Sequence, residues 1–218
     1  FARLGFNEQT QANMMDQLKD AISMLQEIDT STKKGSKAGV AEEGKLEGIV
    51  GKALAKTIVD IEDLGFDMVV FDEAHKLKNI FSSVKSRKDE EGKSEKKYYD
   101  ISGSQSTTGI KGYFLCSYIQ SLYNKKGANV LLLTATPFTN SPLEVYSMLS
   151  LVAYQYMRTI DMNNINDFFD NFCQMGEELV INSKLQPERK QIFKGFDNLI
   201  GLQKLIKKFI IYKEAGKP

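Results

Sequence analysis

The 218-residue sequence predicts an α/β fold, a parallel sheet flanked by helices with a helical C-terminal extension. Two observations carry that expectation. The short runs Asp67-Met68-Val69-Val70-Phe71 and Val130-Leu131-Leu132-Leu133 are continuously apolar rather than alternating, as in strands buried on both faces of a parallel sheet. Each run follows a stretch of helical periodicity, and helix then strand, twice over, is the rhythm of βαβ units.

The elements follow in chain order. Over residues 8–28, Met14 or Met15, Leu18, Ala21, Ile22, Leu25 and Ile28 recur at three- and four-residue spacing, which predicts an amphipathic helix. A Gly/Ser/Lys-rich loop runs from Thr30 to Lys45. A second helical pattern spans Leu46–Leu64, and Gly65 is placed to end it as a left-handed cap. Residues 82–109 are polar and mixed in charge with almost nothing apolar to bury, so a mobile surface loop is expected there. Ile110–Tyr123 has a helical pattern, with Phe114, Leu115, Tyr118 and Leu122 on one side. After the second apolar run, Ser141-Pro142-Leu143-Glu144 has the order of a helix start: Ser at the cap, Pro in the first position, Glu in the first turn. Leu143, Tyr146, Leu149 and Leu151 would then face inward. Further helices are expected near 165–179 and 197–209, with a last short strand at Phe209-Ile210-Ile211-Tyr212. Domain organisation reads as an N-terminal helix and loop (1–45), an α/β core (46–150) and a helical extension with a basic end (151–218).

Composition removes several function classes. Lys and Arg number 29 against 28 Asp and Glu, and 42% of residues are hydrophobic, so the chain is neither a disordered tail nor a uniformly basic coat for nucleic acid. Two distant cysteines, Cys116 and Cys173, make neither a disulfide framework nor a zinc site. No apolar run reaches the ~18 residues of a membrane span and no signal peptide opens the chain, so a reducing, cytoplasmic setting without a membrane partner is expected. Phe1 in place of Met leads us to expect an excerpt of a longer polypeptide. Charge is uneven: nine Lys/Arg face three Asp/Glu after residue 183, against 20 and 25 before it. The basic end reads either as a solvated helix face or as a strip that meets phosphates.

The residues that bear chemistry stand at the ends of the two apolar runs. Asp72 and Glu73 follow Val69-Val70-Phe71, and adjacent carboxylates at the carboxyl end of a buried strand point to the crevice where α/β sheets bind ligands. Where the strand ends, one carboxylate can hold Mg²⁺ while the next polarises a water; a strand ending in solvated acids is the plainer alternative. Thr134-Ala135-Thr136-Pro137 ends the second run. On a neighbouring parallel strand, its hydroxyls would stand beside the acids.

Asp72-Glu73-Ala74-His75, then Lys76-Leu77-Lys78-Asn79, then Leu131-Leu132-Leu133-Thr134-Ala135-Thr136-Pro137-Phe138-Thr139-Asn140 and Glu144-Val145-Tyr146-Ser147-Met148-Leu149 together resemble superfamily 2 DEAD/DEAH-box helicases, in particular Swi/Snf-type double-stranded-DNA translocases. The specific match covers about 30 residues, within an order of elements spanning 46–150. The resemblance implies part of a first RecA-like (P-loop NTPase) domain acting with ATP and Mg²⁺ on DNA, double-stranded rather than single-stranded. Asp72 would organise Mg²⁺, and Glu73 would orient and deprotonate the attacking water, meeting the metal through it. His75 would couple the nucleotide site to the next strand. Thr134, Ala135 and Thr136 would link nucleotide state to the grip on DNA, while Lys78 and Asn79 would brace the acidic loop.

The departures are equally specific. A Gly-x-x-x-x-Gly-Lys-Ser/Thr phosphate loop is absent, since Gly51-Lys52 is followed by Ala53 inside a helical pattern. The arginine finger and second RecA-like domain also have no counterpart, so an N-terminal segment and a second domain of the same polypeptide are expected partners. The context Thr-Pro-Phe-Thr-Asn-Ser-Pro also resembles the helicase part of large bacterial and phage proteins carrying a DNA methylase, which leaves restriction and modification open as the setting. A non-catalytic interaction module of RecA-like fold is the third reading.

Overall fold

A computed structural model describes residues 4–21, 44, 48, 50–52, 59–81, 101, 103, 105–122, 129–138, 141–181 and 185–213. Among them the chain is a mixed α/β structure built on helices, with three two-stranded sheets in place of one continuous sheet. Strand β1 (Leu4–Gly5) pairs in parallel with β2 (Val59–Asp60), and β3 (Val69–Phe71) pairs in parallel with β4 (Val130–Leu132). Helix α1 covers Glu8–Ala21, and α2 is one turn, Ile61–Leu64. The longer helices are α3 (Thr107–Leu122) and α4 (Pro142–Thr159), followed by α5 (Ile165–Phe172). An antiparallel hairpin of β5 (Cys173–Ile181) and β6 (Pro187–Phe196) precedes α6 (Leu199–Phe209).

Helix α3 is the centre of the molecule. It is buried almost all round because α1, α4, β4 and the segment after β3 each pack on a different side of it. Two glycines let that last segment approach. A Cβ on Gly109 would lie 2.8 Å from the carbonyl carbon of Asn79, and one on Gly112 would lie 2.8 Å from the Leu77 side chain. Aromatic rings tie the other layers together. Phe6 meets Phe114 edge-on at 6.3 Å, Phe81 meets Tyr146 at 5.1 Å, and Tyr146 meets Phe168 at 5.4 Å. Such pairs contribute about 0.5–1.5 kcal/mol each beyond their buried area. Helix α4 starts as its sequence dictates: Ser141 Oγ accepts the Leu143 N–H, Pro142 fills the first turn, and Leu143, Tyr146, Leu149 and Leu151 are buried. Gly65 takes the left-handed conformation after α2, at φ 63°.

Several sequence-based expectations are corrected. The C-terminal part is not wholly helical: the helix near 165–179 stops at Phe172, and Cys173 opens the hairpin. Residues 210–212 form no strand, and Ile211 is 98% exposed. The pattern at 46–64 is interrupted by β2, because Val59 and Asp60 find hydrogen-bonding partners in Leu4 and Gly5; residues 53–58 lie outside the described residues. The supposed loop 82–109 is ordered at its end. Ile101 is buried, a Cβ on Gly103 would sit 2.6 Å from the Phe81 carbonyl oxygen, and α3 begins at Thr107. Residues 82–100 lie outside the described ones, as do 22–28 of the first predicted helix. The apolar runs are not buried on both faces. Val69 and Phe71 pack on the core, while Val70 is 51% exposed and Leu131 43% exposed on the opposite face. A multistranded RecA-like sheet is therefore not seen among the described residues. No helix among them is long and apolar enough to cross a membrane.

Replacing glycine by alanine inside a helix ordinarily stabilises it, by about 0.4–1 kcal/mol. At Gly109 the sign should reverse: Gly109→Ala is expected to lower stability by ~2 kcal/mol in urea unfolding, because the new methyl meets rigid backbone. Gly112→Ala, which meets only the mobile end of Leu77, should cost less. A gain in stability for Gly109→Ala would show that the Asn79 segment does not lie on this helix.

Candidate functional site

The two strand ends that the sequence singles out lie side by side. In register, Val69 faces Val130, Val70 faces Leu131 and Phe71 faces Leu132. Beyond the last pair, Leu133 donates its N–H to the Phe71 carbonyl at 2.8 Å and accepts the Ala74 N–H at 3.0 Å. One residue of the second strand therefore holds the first strand on both sides of the acidic pair. Asp72 and Glu73 must span the gap between those anchors as an exposed turn, and a 3-10 turn, Ala74–Leu77, follows.

That span forces Glu73 into the left-handed region, at φ 54° and ψ 44°. Such a backbone costs a non-glycine residue about 1–2 kcal/mol. Asp72 Oδ1 eases the turn by accepting the Glu73 N–H at 2.9 Å. The Glu73 side chain then lies near His75, with Oε2 3.2 Å from Nδ1. The same nitrogen is 3.3 Å from Thr134 Oγ1, and that hydroxyl oxygen accepts the Thr136 N–H at 3.2 Å. With its proton on Nδ1, His75 donates toward the Glu73 carboxylate; with Nδ1 bare, it accepts the Thr134 hydroxyl proton. The ring is thus a two-way junction between the acidic turn and the second strand end. Thr136 and Ala135 are exposed at the rim, and the chain runs on through Pro137 toward α4.

Two clamps hold the segment behind the turn. Lys78 Nζ meets Glu144 Oε1 at 2.9 Å, with the side chains only 18% and 17% exposed. This ion pair ties the end of the 3-10 turn to the first turn of α4. Asn79 acts through its backbone: its carbonyl accepts the Ser106 N–H at 2.9 Å, and Ser106 Oγ in turn accepts the Gly109 N–H and caps α3. Of the residues singled out in the sequence, Asp72, Glu73, His75, Thr134 and Thr136 are therefore brought together. Lys78 and Asn79 stand one layer behind them, and Ala135 contributes only backbone. Glu144, Ser106 and Gly109 were not among the sequence-based site residues. Two glycines three residues apart, Gly109 just before the predicted helix and Gly112 inside it, were the available sign of a close approach.

The donors fit one kind of metal site only. Among the described residues no three His, Cys, Asp or Glu side chains converge, so a cage that binds a free ion is not built here. Mg²⁺ carried by a polyphosphate needs only one or two carboxylates and keeps its waters, and an exposed Asp72 with one oxygen uncommitted to the turn fits that requirement. Burial pushes the Cys116 thiol far above its ordinary range and the half-buried Cys173 up to about 12, which disfavours the thiolate that cysteine chemistry uses.

Comparison with known proteins overturns the resemblance to superfamily 2 helicases. No family model matches the chain, and no solved structure matches it. It is similar instead to Defense against restriction protein B of Escherichia phage P1, 28% identical over 158 residues, which are 71% of this chain and 6% of that protein. The chain therefore spans a small part of the length of this relative, whose name speaks of restriction and not of unwinding. Of the readings drawn from the sequence, only the coarse link to restriction finds a counterpart there.

Two measurements check this geometry. In a double-mutant cycle by chemical unfolding, Lys78→Met and Glu144→Gln should each cost about 2 kcal/mol, and the pair together clearly less than their sum. Additive losses would mean that the two side chains do not meet. For the thiols, a raised pKa means that thiolate, and with it alkylation, appears only as pH climbs. At pH ~8 Cys173 should alkylate at least about 100-fold more slowly than free cysteine, and Cys116 not at all in the folded protein.

Proposed function

We propose that the turn Asp72–His75 and the strand end Thr134–Thr136 form one side of a site that hydrolyses Mg²⁺-bound ATP, in a protein whose task is to counter restriction of DNA. The energy released there would drive work on double-stranded DNA. What supports the reading is the two-residue carboxylate turn itself: Glu73 is held in a strained, solvent-facing position, and the one histidine of the chain stands between it and a hydroxyl on the neighbouring strand. Strain at an exposed carboxylate has no structural benefit of its own, and strained residues cluster at working sites.

Each side chain then has a task. Asp72, with one oxygen committed to the turn, would offer the other to the divalent cation that the polyphosphate carries. A divalent cation supplies neutralisation of phosphate charge, the main requirement of phosphoryl transfer. Glu73 positions a water for attack on the γ-phosphorus and takes up one of its protons as the water oxygen bonds to phosphorus and the bond to the leaving oxygen breaks. His75 fixes the Glu73 carboxylate and changes its own hydrogen bond when that carboxylate is protonated, so Thr134 and Thr136 feel the event. Lys78 and Asn79 keep the turn in register and do not reach the substrate.

The turn sets two exposed carboxylates side by side, so the phosphate-cradling N–H groups and a cationic side chain facing the phosphates would come from other segments of the same polypeptide. The phage relative is long enough to hold them many times over. Within the full chain, Glu73→Gln should reduce DNA-stimulated phosphate release at least ~100-fold while leaving the affinity for a fluorescent ATP analogue within about threefold. Asp72→Asn should instead weaken binding of the Mg²⁺ complex. Undiminished turnover by Glu73→Gln would refute the assignment.

A further inference from the structure

We infer that the outward face of α6 is a docking strip for the phosphate backbone of double-stranded DNA, an inference that rests on the DNA partner proposed above. The roll of this helix is fixed from within. Leu202 and Leu205 are buried, Ile206 and Phe209 pack on the core, and the Phe209 ring stands 5.2 Å from that of Tyr156 on α4. The opposite face must then carry Gln203, Lys204, Lys207 and Lys208, all exposed. Tyr156 lies twelve residues beyond Glu144 on α4, about 18 Å along the helix axis. The strip is thus separate from the acidic turn.

Among the described residues no carboxylate pairs with the charge on this face. Helix α6 contains no acidic residue. Among the described residues neither Lys204 nor Lys207 makes an ion pair. The Lys208 ammonium rests over the Tyr156 ring, 3.7 Å from its centroid, an arrangement that holds the side chain without neutralising it. Of the acids that precede the helix, the nearest, Asp197, accepts the Asn198 N–H at 2.8 Å, and Lys194 on the hairpin is already paired with Glu178 at 3.0 Å. Like charges three and four residues apart repel on a helix surface. The negative end of the helix dipole relieves Lys207 and Lys208 in the last turn but not Lys204 one turn earlier. A polyanion laid along the face would reverse the whole penalty.

The kind of polyanion follows from what the helix has left to offer. A helix that lies on a lipid surface buries its apolar face among the headgroups, and the apolar face of α6 is already committed to the protein core. Leu199 and Ile200 are exposed at the first turn of the helix and Ile211 and Tyr212 beyond its end, so the exposed apolar residues form no continuous stripe along it. Lysines on flexible stems recognise charge rather than shape, which suits the uniform phosphates of a duplex better than the irregular carboxylates of a protein partner.

The test is fluorescence anisotropy of the full chain with a duplex of about 30 base pairs, over salt from ~50 to ~200 mM. Lys204→Glu/Lys207→Glu should weaken binding at least tenfold and lower the slope of log affinity against log salt by about two, whereas Lys204→Arg/Lys207→Arg should bind as the parent does. The arginine variant guards against loss by misfolding, as do matching thermal melts by circular dichroism. Unchanged affinity and slope in the glutamate variant would overturn the strip while leaving DNA as the partner. A parent chain that binds no duplex at all would overturn both. Stronger binding to phosphatidylglycerol vesicles, or displacement of the duplex by polyglutamate at equal charge, would assign the face to a membrane or an acidic protein and defeat the inference.

Discussion

Everything at the rim depends on the peptide group of Leu133. By accepting from Ala74 and donating to Phe71 it fixes the distance that Asp72 and Glu73 must bridge. Two residues can close that gap only if one of them leaves the extended region, and Glu73 is the one that does. Its side chain is thereby turned away from the strand direction and toward the ring of His75. Had the ladder continued one residue further, Asp72 and Glu73 would have pointed to opposite faces of the sheet, as successive strand residues do. The pairing of two short strands thus decides whether the two carboxylates can share a site at all.

A strained turn persists only where its surroundings over-determine it, and here they do so from three directions. The sheet hydrogen bonds hold its base, the half-buried Lys78–Glu144 pair holds its exit against α4, and the Asn79 carbonyl is pinned to the start of α3. Each restraint comes from a different part of the sequence, so the turn reports on the packing of the whole helical core. The ion pair has a second consequence. It holds the Lys78 ammonium on a carboxylate behind the turn, so that the rim itself presents carboxylates, hydroxyls and an imidazole.

Much of this arrangement was legible in the sequence, for identifiable reasons. The continuous apolar runs ending in Asp72-Glu73 and in Thr134-Ala135-Thr136 gave both strands and both tips, and the Ser141-Pro142-x-Glu144 order gave the start of α4. The β5–β6 hairpin was missed because strand pairing depends on contacts remote in sequence. Its residues, such as Glu177, Glu178, Arg189 and Lys194, carry little apolar alternation, and ion pairs across the ribbon do part of the holding. The segment before α3 was misread for a related reason. Ile101 is buried in the core and Gly103 lies against Phe81 and Leu143, and one buried side chain in a polar stretch leaves no periodic signal. The clamp by Glu144 was hidden in plain view, since a Glu in the first turn of a helix is already accounted for by the helix dipole.

The electrostatics of the rim also limit what it can do alone. Two exposed carboxylates side by side repel a polyphosphate, and His75 faces one of them without removing the net negative charge. Any anionic ligand must therefore arrive with a cation or meet one supplied from elsewhere. The uncovered side of the β3–β4 pair points the same way. Parallel strands are stable when both faces are covered, yet Val70, Leu131 and Leu133 are exposed here while Val69, Phe71, Val130 and Leu132 pack on the core. Among the described residues, the acidic rim and the outer face of this strand pair are thus exposed together, on the same side of the chain's helical core as the turn that Leu133 fixes.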